Sequence, residues 1–378
     1  MQNFEYFNPT KVIFGKGTIA QLSQLIDKKE KILMTYGGGS IKKNGVYNQI
    51  KTALQSYDVI EFSGIEANPE YETCMKAVEI CRKENITFIL AVGGGSVLDG
   101  SKFIAAATKY EGDAWNILTS RGAFDKALPV ASVLTIPATG SESNPNAVIS
   151  REEKSDKLAF ANPLSFPVFS ILDPEVTYSL PERQVINGVV DSFVHVCEQY
   201  TSNYMNAELH DQLCEGVLRT LVKIGRDVID NPTNYDLKAE LMYCANVALN
   251  TSLGCGAPQD WSTHMIGHEI TALYGVDHAR SLAIILPGLL RKMKEDKSPK
   301  LDRFARNVFE KNTAEEGIVA IENFFRSLGM KTRFSEYGID ANEAAEKISS
   351  KFSSHNIVLG ENSNITPEIV AEIIKDRA

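Results

Sequence analysis

The sequence contains six histidines, and three of them, His264, His268 and His278, fall in the stretch DWSTHMIGHEITALYGVDHAR. His264 and His268 are four apart, so on a helix they project from one face, one turn above the other. Gly275-Val276-Asp277 is turn-like and can return the chain so that His278 faces the same space. A second pair, Asp191 and His195 in GVVDSFVHVCEQY, has the same spacing. One carboxylate with several imidazoles is a donor set suited to a divalent transition metal. Spacing alone leaves the matter open, because a histidine on an apolar helix is more often a hydrogen-bonded core residue. The common zinc-protease arrangement is excluded. His264-Met265-Ile266-Gly267-His268 lacks a glutamate directly after the first histidine, and Glu269 stands outside the pair.

A second kind of chemistry rests on glycine. Gly93-Gly94-Gly95-Ser96 ends the apolar run 87–92 and opens a helical stretch through Asp99 and Lys102. Glycines at a strand-to-helix junction let a diphosphate approach the backbone, and the helix start offers it unpaired N–H groups. A glycine triplet can also be a ligand-free turn; the junction is what favours a dinucleotide. Gly37-Gly38-Gly39-Ser40-Ile41-Lys42-Lys43 ends an earlier strand, where such sheets discriminate NAD from NADP. An acidic residue there would bond the free 2′-hydroxyl and repel a 2′-phosphate. None lies between Gly37 and Lys43, whereas Ser40, Lys42 and Lys43 offer donors and positive charge. The expectation is NADP(H) in preference to NAD(H). A third polar loop, residues 136–144 (IPATGSESN), follows the apolar run 130–136, and its small hydroxyl residues can line phosphate or nicotinamide.

The elements that must carry these loops change character along the chain. Through residue 181, short β-branched runs at 11–14, 31–36, 58–62 and 87–92 alternate with helical patterns at 49–55 and 71–84. That alternation predicts a Rossmann-like α/β domain with a parallel sheet wound by helices on both faces. Beyond it, strand-like runs vanish, and helical patterns occupy 184–200, 207–229, 237–253, 260–274, 282–293, 299–309 and 315–328. The division expected is an α/β dinucleotide-binding domain, 1–181, and an all-α metal-binding domain, 182–378, hinged at the prolines of LDP and LP. The glycine loops fall in the first and the metal candidates in the second, so a catalytic cleft between them is expected.

The composition is ordinary for a soluble globular protein: 43% hydrophobic, 23% charged, net charge −9. The acidic balance speaks against a nucleic-acid partner. Six cysteines without CxxC spacing fit reduced thiols in the cytoplasm, and no secretory leader or membrane-spanning run is expected.

Taken together, NPTKVIFGKG, TYGGGSIKKNG, GGGSVLDGSK, PATGSESN, LPERQVINGVVDSFVHVCEQY and HMIGHEITALYGVDHA resemble the iron-containing (group III) alcohol dehydrogenase family. The resemblance covers essentially the whole chain, and is strongest to the butanol dehydrogenase and broad-specificity NADPH-dependent aldehyde reductase branch. It implies the dehydroquinate synthase-like architecture, a homodimer, and reversible hydride transfer between NADP(H) and a primary alcohol or aldehyde such as butanol or butyraldehyde. The metal, Fe²⁺ or Zn²⁺, would be held by Asp191, His195, His264 and His278. His268 matches a histidine beside the metal and is placed to relay a proton. Cofactor contacts would fall on Gly37, Gly38, Ser40 and Lys43, on Gly93, Gly94, Gly95, Ser96 and Asp99, on Thr135, Ala138, Thr139 and Ser141, and on Lys157. The chain departs from many relatives at Ala138, where they carry threonine, and at Gly37, where they carry an acid. A hydrolase could use the same ligands but has no need of a dinucleotide loop. A dehydroquinate synthase-like lyase needs a basic cluster near the metal, where this sequence offers only Arg280.

Overall fold

Six strands pair in parallel in the order β1-β8-β5-β4-β2-β3, with β1 Lys11–Phe14, β2 Lys31–Tyr36, β3 Asp58–Ser63, β4 Phe88–Gly93, β5 Val130–Leu134 and β8 Phe169–Leu172. A hairpin of β6 Asn146–Arg151 and β7 Asp156–Ala161 stands apart from that sheet. The computed structural model describes residues 1–151, 153, 156–203 and 205–378. The chain forms two units: one is Phe7–Pro181 with Asn231–Asn250, the other Met1–Tyr6 with Glu182–Asp230 and Thr251–Ala378.

In the sheet unit, α1 Leu22–Leu25, α2 Val46–Ala53, α3 Tyr71–Lys83, α4 Gly95–Lys109 and α5 Asn116–Thr119 accompany the strands. Successive strand residues enter opposite layers, as the two-residue period requires. Leu33, Ile89 and Ala91 pack with Val78, Leu98 and Ile104 on one side. Ile32, Met34, Leu90 and Val92 pack with Ile19, Val46 and Ile50 on the other. Both faces are therefore apolar, which is why β4 reads as an unbroken hydrophobic run.

The helical unit contains α6 Glu182–Tyr200, α7 Glu208–Asp230, α9 Ser262–Tyr274, α10 His278–Lys292, α11 Ser298–Phe309, α12 Ala314–Ser327, α13 Ala341–Ser354 and α14 Pro367–Asp376. α6 is anchored by Phe193, fully buried, whose ring lies between 5.4 and 6.4 Å from those of Phe304, Phe309, Phe324 and Phe325. α9 and α10 meet closely because residue 267 is glycine. A Cβ there would stand 2.8 Å from Leu282 Cδ2 and 2.9 Å from Ser281 Oγ.

Several elements differ from the sequence expectation. The helix expected over 237–253 is α8, Tyr235–Ala248, and it clusters with the sheet unit. Met242 packs with Leu134 and Leu172, and Asn246 Nδ2 donates to Glu142 Oε1 at 2.8 Å and Ser143 Oγ at 2.7 Å. The compact units therefore cross the 1–181/182–378 division at α8 and at the first six residues. α10 begins at His278 instead of 282, since the Asp277 carbonyl accepts the N–H groups of Arg280 and Ser281. The β6–β7 hairpin, β8, α13 and α14 had no counterpart in the sequence reading.

Candidate metal centre and cofactor loops

Three helices of one unit deliver the polar residues singled out by spacing. Asp191 and His195 come from α6, His264 and His268 from α9, and His278 is the first residue of α10. Asp191 is buried, and its Oδ1 accepts no hydrogen bond among the described residues. Three imidazoles converge on that oxygen: Nε2 of His195 at 3.6 Å, of His278 at 3.6 Å and of His264 at 3.9 Å. These separations are too long for hydrogen bonds. They suit an ion in their midst, since bonds of about 2.0–2.1 Å leave tetrahedral ligand atoms roughly 3.4 Å apart. Asp191, His195 and His264 place their donor atoms within 4.8 Å of one another.

The local electrostatics favour a cation. Among the described residues, the ion pairs of the buried carboxylates Asp191 and Glu198 are all with histidines. Leaving buried carboxylates without positive charge is costly, and a divalent ion held there would supply it. Burial pushes His195 down to about 4, although Asp191 beside it pulls the other way. His195 is thus neutral at pH 7, the form that coordinates. The rings of His195 and His264 stack at 4.7 Å, and His264 and His278 lie 5.1 Å apart. His268 stands one turn along α9, half-buried, with its ring 5.2 Å from His278 and 6.2 Å from His264.

Three residues of this region escaped the sequence reading. Glu198 lies against His264, and its signal was available: it follows His195 by three and Asp191 by seven, on the same face of α6. Gly267 sets the approach of α9 to α10. Asp277 holds the entry to His278, accepting from Arg183 Nε at 2.6 Å and Asn187 Nδ2 at 3.0 Å.

In the sheet unit, Gly93 ends β4 and Gly95 begins α4, as the junction predicted. A Cβ on Gly95 would stand 2.6 Å from Thr139 Cγ2, and one on Gly93 2.7 Å from Val97 Cβ, so both positions need glycine. Thr135 N–H donates to the Gly93 carbonyl at 2.9 Å, placing the Ala138–Thr139–Ser141 loop beside the glycines. Ser96 Oγ donates to the Ala67 carbonyl.

Asp99 and Lys102 clamp that loop. Asp99 accepts from Ser141 Oγ at 2.6 Å and from Val148 N–H at 3.0 Å. Lys102, fully buried, donates to Ser141 Oγ at 2.7 Å, Asn144 O at 2.9 Å and Asn146 O at 2.7 Å, and burial pushes it down to about 8. The Asp99 oxygens thus serve the protein's own loop and strand β6. Lys157 on β7 reaches Asn68 Oδ1 at 3.0 Å.

The loop after β2 makes a single turn at Ser40–Lys42, entered through Gly39 at φ 89°. Lys42 lies 5.2 Å from the ring centres of both Tyr36 and Tyr47, whose hydroxyls donate to Glu61 at 3.0 and 2.8 Å. Lys43 is exposed beside Ser40, and its N–H donates to the Ser40 carbonyl at 2.9 Å.

Comparison with known proteins bears on the family. The model described as iron-containing alcohol dehydrogenase matches residues 9–174, and that of the Fe-containing alcohol dehydrogenase family, C-terminal, matches 185–378. The NADPH-dependent aldehyde reductase YqhD of Escherichia coli (strain K12) is 48% identical over 99% of each chain. The crystal structure of E. coli K-12 YqhD superposes with a TM-score of 0.98 at 47% identity, over 100% of this chain and 99% of that one. The NADH-dependent butanol dehydrogenase A of Thermotoga maritima gives 0.96 at 35% identity, over 100% and 99%. Two half-chain matches in register with a buried Asp–His cluster and a glycine-rich strand–helix junction place this chain in the iron-containing alcohol dehydrogenase family.

Proposed function

We propose that the chain is a metal-dependent, NADP(H)-linked alcohol dehydrogenase that reduces aldehydes such as butyraldehyde to primary alcohols, and runs in reverse. The observation that carries this reading is the convergence of His195, His264 and His278 on the unbonded Asp191 oxygen. Those four residues would hold Fe²⁺ or Zn²⁺, both of which accept such a nitrogen–oxygen donor set. The ion would polarise the carbonyl, and the nicotinamide would supply the hydride. His268, half-buried and next to His278, passes a proton between water and the product oxygen. Gly93, Gly94, Gly95 and Ser96 receive the diphosphate, the loop of Thr135, Ala138, Thr139 and Ser141 borders it, and Lys157 contacts the cofactor. Asp99 acts on this loop by holding Ser141.

For the 2′-phosphate, Gly37 and Gly38 remove the acidic competitor, and Ser40 and Lys43 are the donors. The position of Lys42 over two tyrosine rings supports Lys43 as the lysine that turns to the phosphate. The E. coli relative is named NADPH-dependent and the T. maritima relative NADH-dependent, so both cofactor preferences occur among similar proteins.

The remaining assignments are a homodimer in the cytoplasm, without nucleic-acid or membrane partners. Edge strand β1 exposes Val12 and Phe14 beside Phe7, Val168 and Tyr243, an apolar margin that supports a second copy as its cover. The six cysteines are free thiols, which supports a reducing compartment. The net charge of −9 argues against polyanions, and no described helix is long and apolar enough to cross a membrane. The test is loss of NADPH absorbance at 340 nm with metal-loaded protein and butyraldehyde. Steady turnover supports the reading; no oxidation of NADPH by any short-chain aldehyde ends it.

A further inference from the structure

Both oxygens of the Glu198 carboxylate are committed, and to different tasks. Oε1 accepts the N–H groups of Thr263 at 2.6 Å and His264 at 3.2 Å, the second and third residues of α9. The helix's own N-cap residue, Trp261, supplies no side-chain bond. Asp260 Oδ1 takes the N–H of Ser262 at 2.9 Å, so two carboxylates close the first three donors of α9. Oε2 of Glu198 lies against His264 Nδ1, on the side of the ring opposite the Nε2 that faces Asp191.

Glu198 is held firmly. It is 3% exposed, and its carbonyl accepts the Asp260 N–H at 2.9 Å. Lys297, equally buried, pairs with Asp260 at 2.9 Å and Glu361 at 2.8 Å, leaving Glu198 to the imidazole.

We propose that Glu198 is a positioning residue that fixes His264 as the Nδ1–H tautomer and so directs the Nε2 lone pair toward Asp191. The inference rests on reading Asp191, His195, His264 and His278 as the metal ligands. An imidazole can coordinate only through the nitrogen that lacks the proton, and an acceptor at the other nitrogen selects that state. A carboxylate can only accept. A glutamine at 198 has one acceptor and one donor. If its oxygen keeps the two helix N–H bonds, its amide N–H₂ faces Nδ1 and drives the ring proton to Nε2, where it blocks coordination.

The test compares wild type, Glu198→Gln and His264→Ala by Zn²⁺ affinity, measured by competition with a chromogenic chelator. ¹⁵N NMR of the histidine-labelled, metal-free wild type provides an independent reading of the tautomer. Glu198→Gln is expected to weaken Zn²⁺ about 10–100-fold while NADPH binding stays unchanged, and the wild type is expected to carry the His264 proton on Nδ1. Wild-type Zn²⁺ affinity in Glu198→Gln, or a His264 proton on Nε2, overturns the proposal. The NMR result decides alone if Glu198→Gln fails to fold. Undiminished affinity in His264→Ala would remove the ligand assignment itself. Loss in His264→Ala with retention in Glu198→Gln removes only the role of Glu198.

Discussion

In the helical unit the proposed chemistry rests on side chains from three helices, and two of them, His264 and His278, are placed by partners far away in sequence. His264 is capped and oriented by Glu198, and His278 enters α10 beside Asp277, which Arg183 and Asn187 hold. In the sheet unit it is carried by what side chains leave vacant. Gly93 and Gly95 clear a strand–helix junction within one short segment, and Asp99 and Lys102 of the same helix pin the loop that faces it. The two designs should break differently. A side-chain site fails when one donor is deleted, while a backbone site tolerates deletion and fails when something is added.

The largest effect is expected from deletion at the metal centre. Asp191→Ala or His264→Ala should abolish metal binding and lower turnover by roughly three orders of magnitude or more, because Lewis-acid stabilisation is worth several kcal/mol at about 1.4 kcal/mol per tenfold. NADPH binding, followed by fluorescence, should persist. Addition at the glycine junction should invert that pattern. Gly95→Ala drives a methyl into Thr139, a strain of about 1–3 kcal/mol, and should weaken NADPH while metal content stays at one per chain.

A milder break is expected at His268. His268→Ala should keep the metal and lower kcat by about a hundredfold, the lower range for loss of a positioned proton donor, with an altered pH profile. Collapse of metal content along with activity would make His268 a ligand. The smallest effect sharpens cofactor choice. A charge-assisted hydrogen bond is worth about 1.5–3 kcal/mol, so Lys43→Ala should cut the NADPH-over-NADH ratio of kcat/KM by about tenfold. Lys42→Ala should change it less. Gly37→Asp is the coarser probe, since a Cβ there would stand 3.1 Å from the Ile65 carbonyl.

How much was legible follows the same division. The β4–α4 junction could be read directly, because strand, glycines and helix are contiguous and local geometry dictates their residue types. β2 was bounded to the residue at Lys31–Tyr36 for the same reason. The metal candidates were visible because Asp191 and His195, like His264 and His268, stand four apart and the turn at 275–277 could return His278 to the same space, but the approach of α10 to α9 was not. It depends on Gly267 drawing α10 against α9, a packing fact with no sequence signature. Glu198 shares a helix face with Asp191 and His195, but its pairing with His264, 66 residues away, was not legible. α8 was recognised as a helix and assigned with its neighbours in sequence, whereas Asn246 and Met242 bind it to the sheet unit. That Lys42 lies over Tyr36 and Tyr47, which distinguishes it from Lys43, was not legible in the sequence.

The most direct test of the central claim is metal removal with the cofactor site left intact. The protein is stripped with a strong chelator, its metal content and NADPH affinity are measured, and butyraldehyde reduction is followed before and after adding Fe²⁺ or Zn²⁺. The account predicts one ion per chain in the native protein, and NADPH bound equally well with or without it. Turnover should fall below about one part in a thousand in its absence and return on reconstitution. Undiminished turnover in metal-free protein would contradict it.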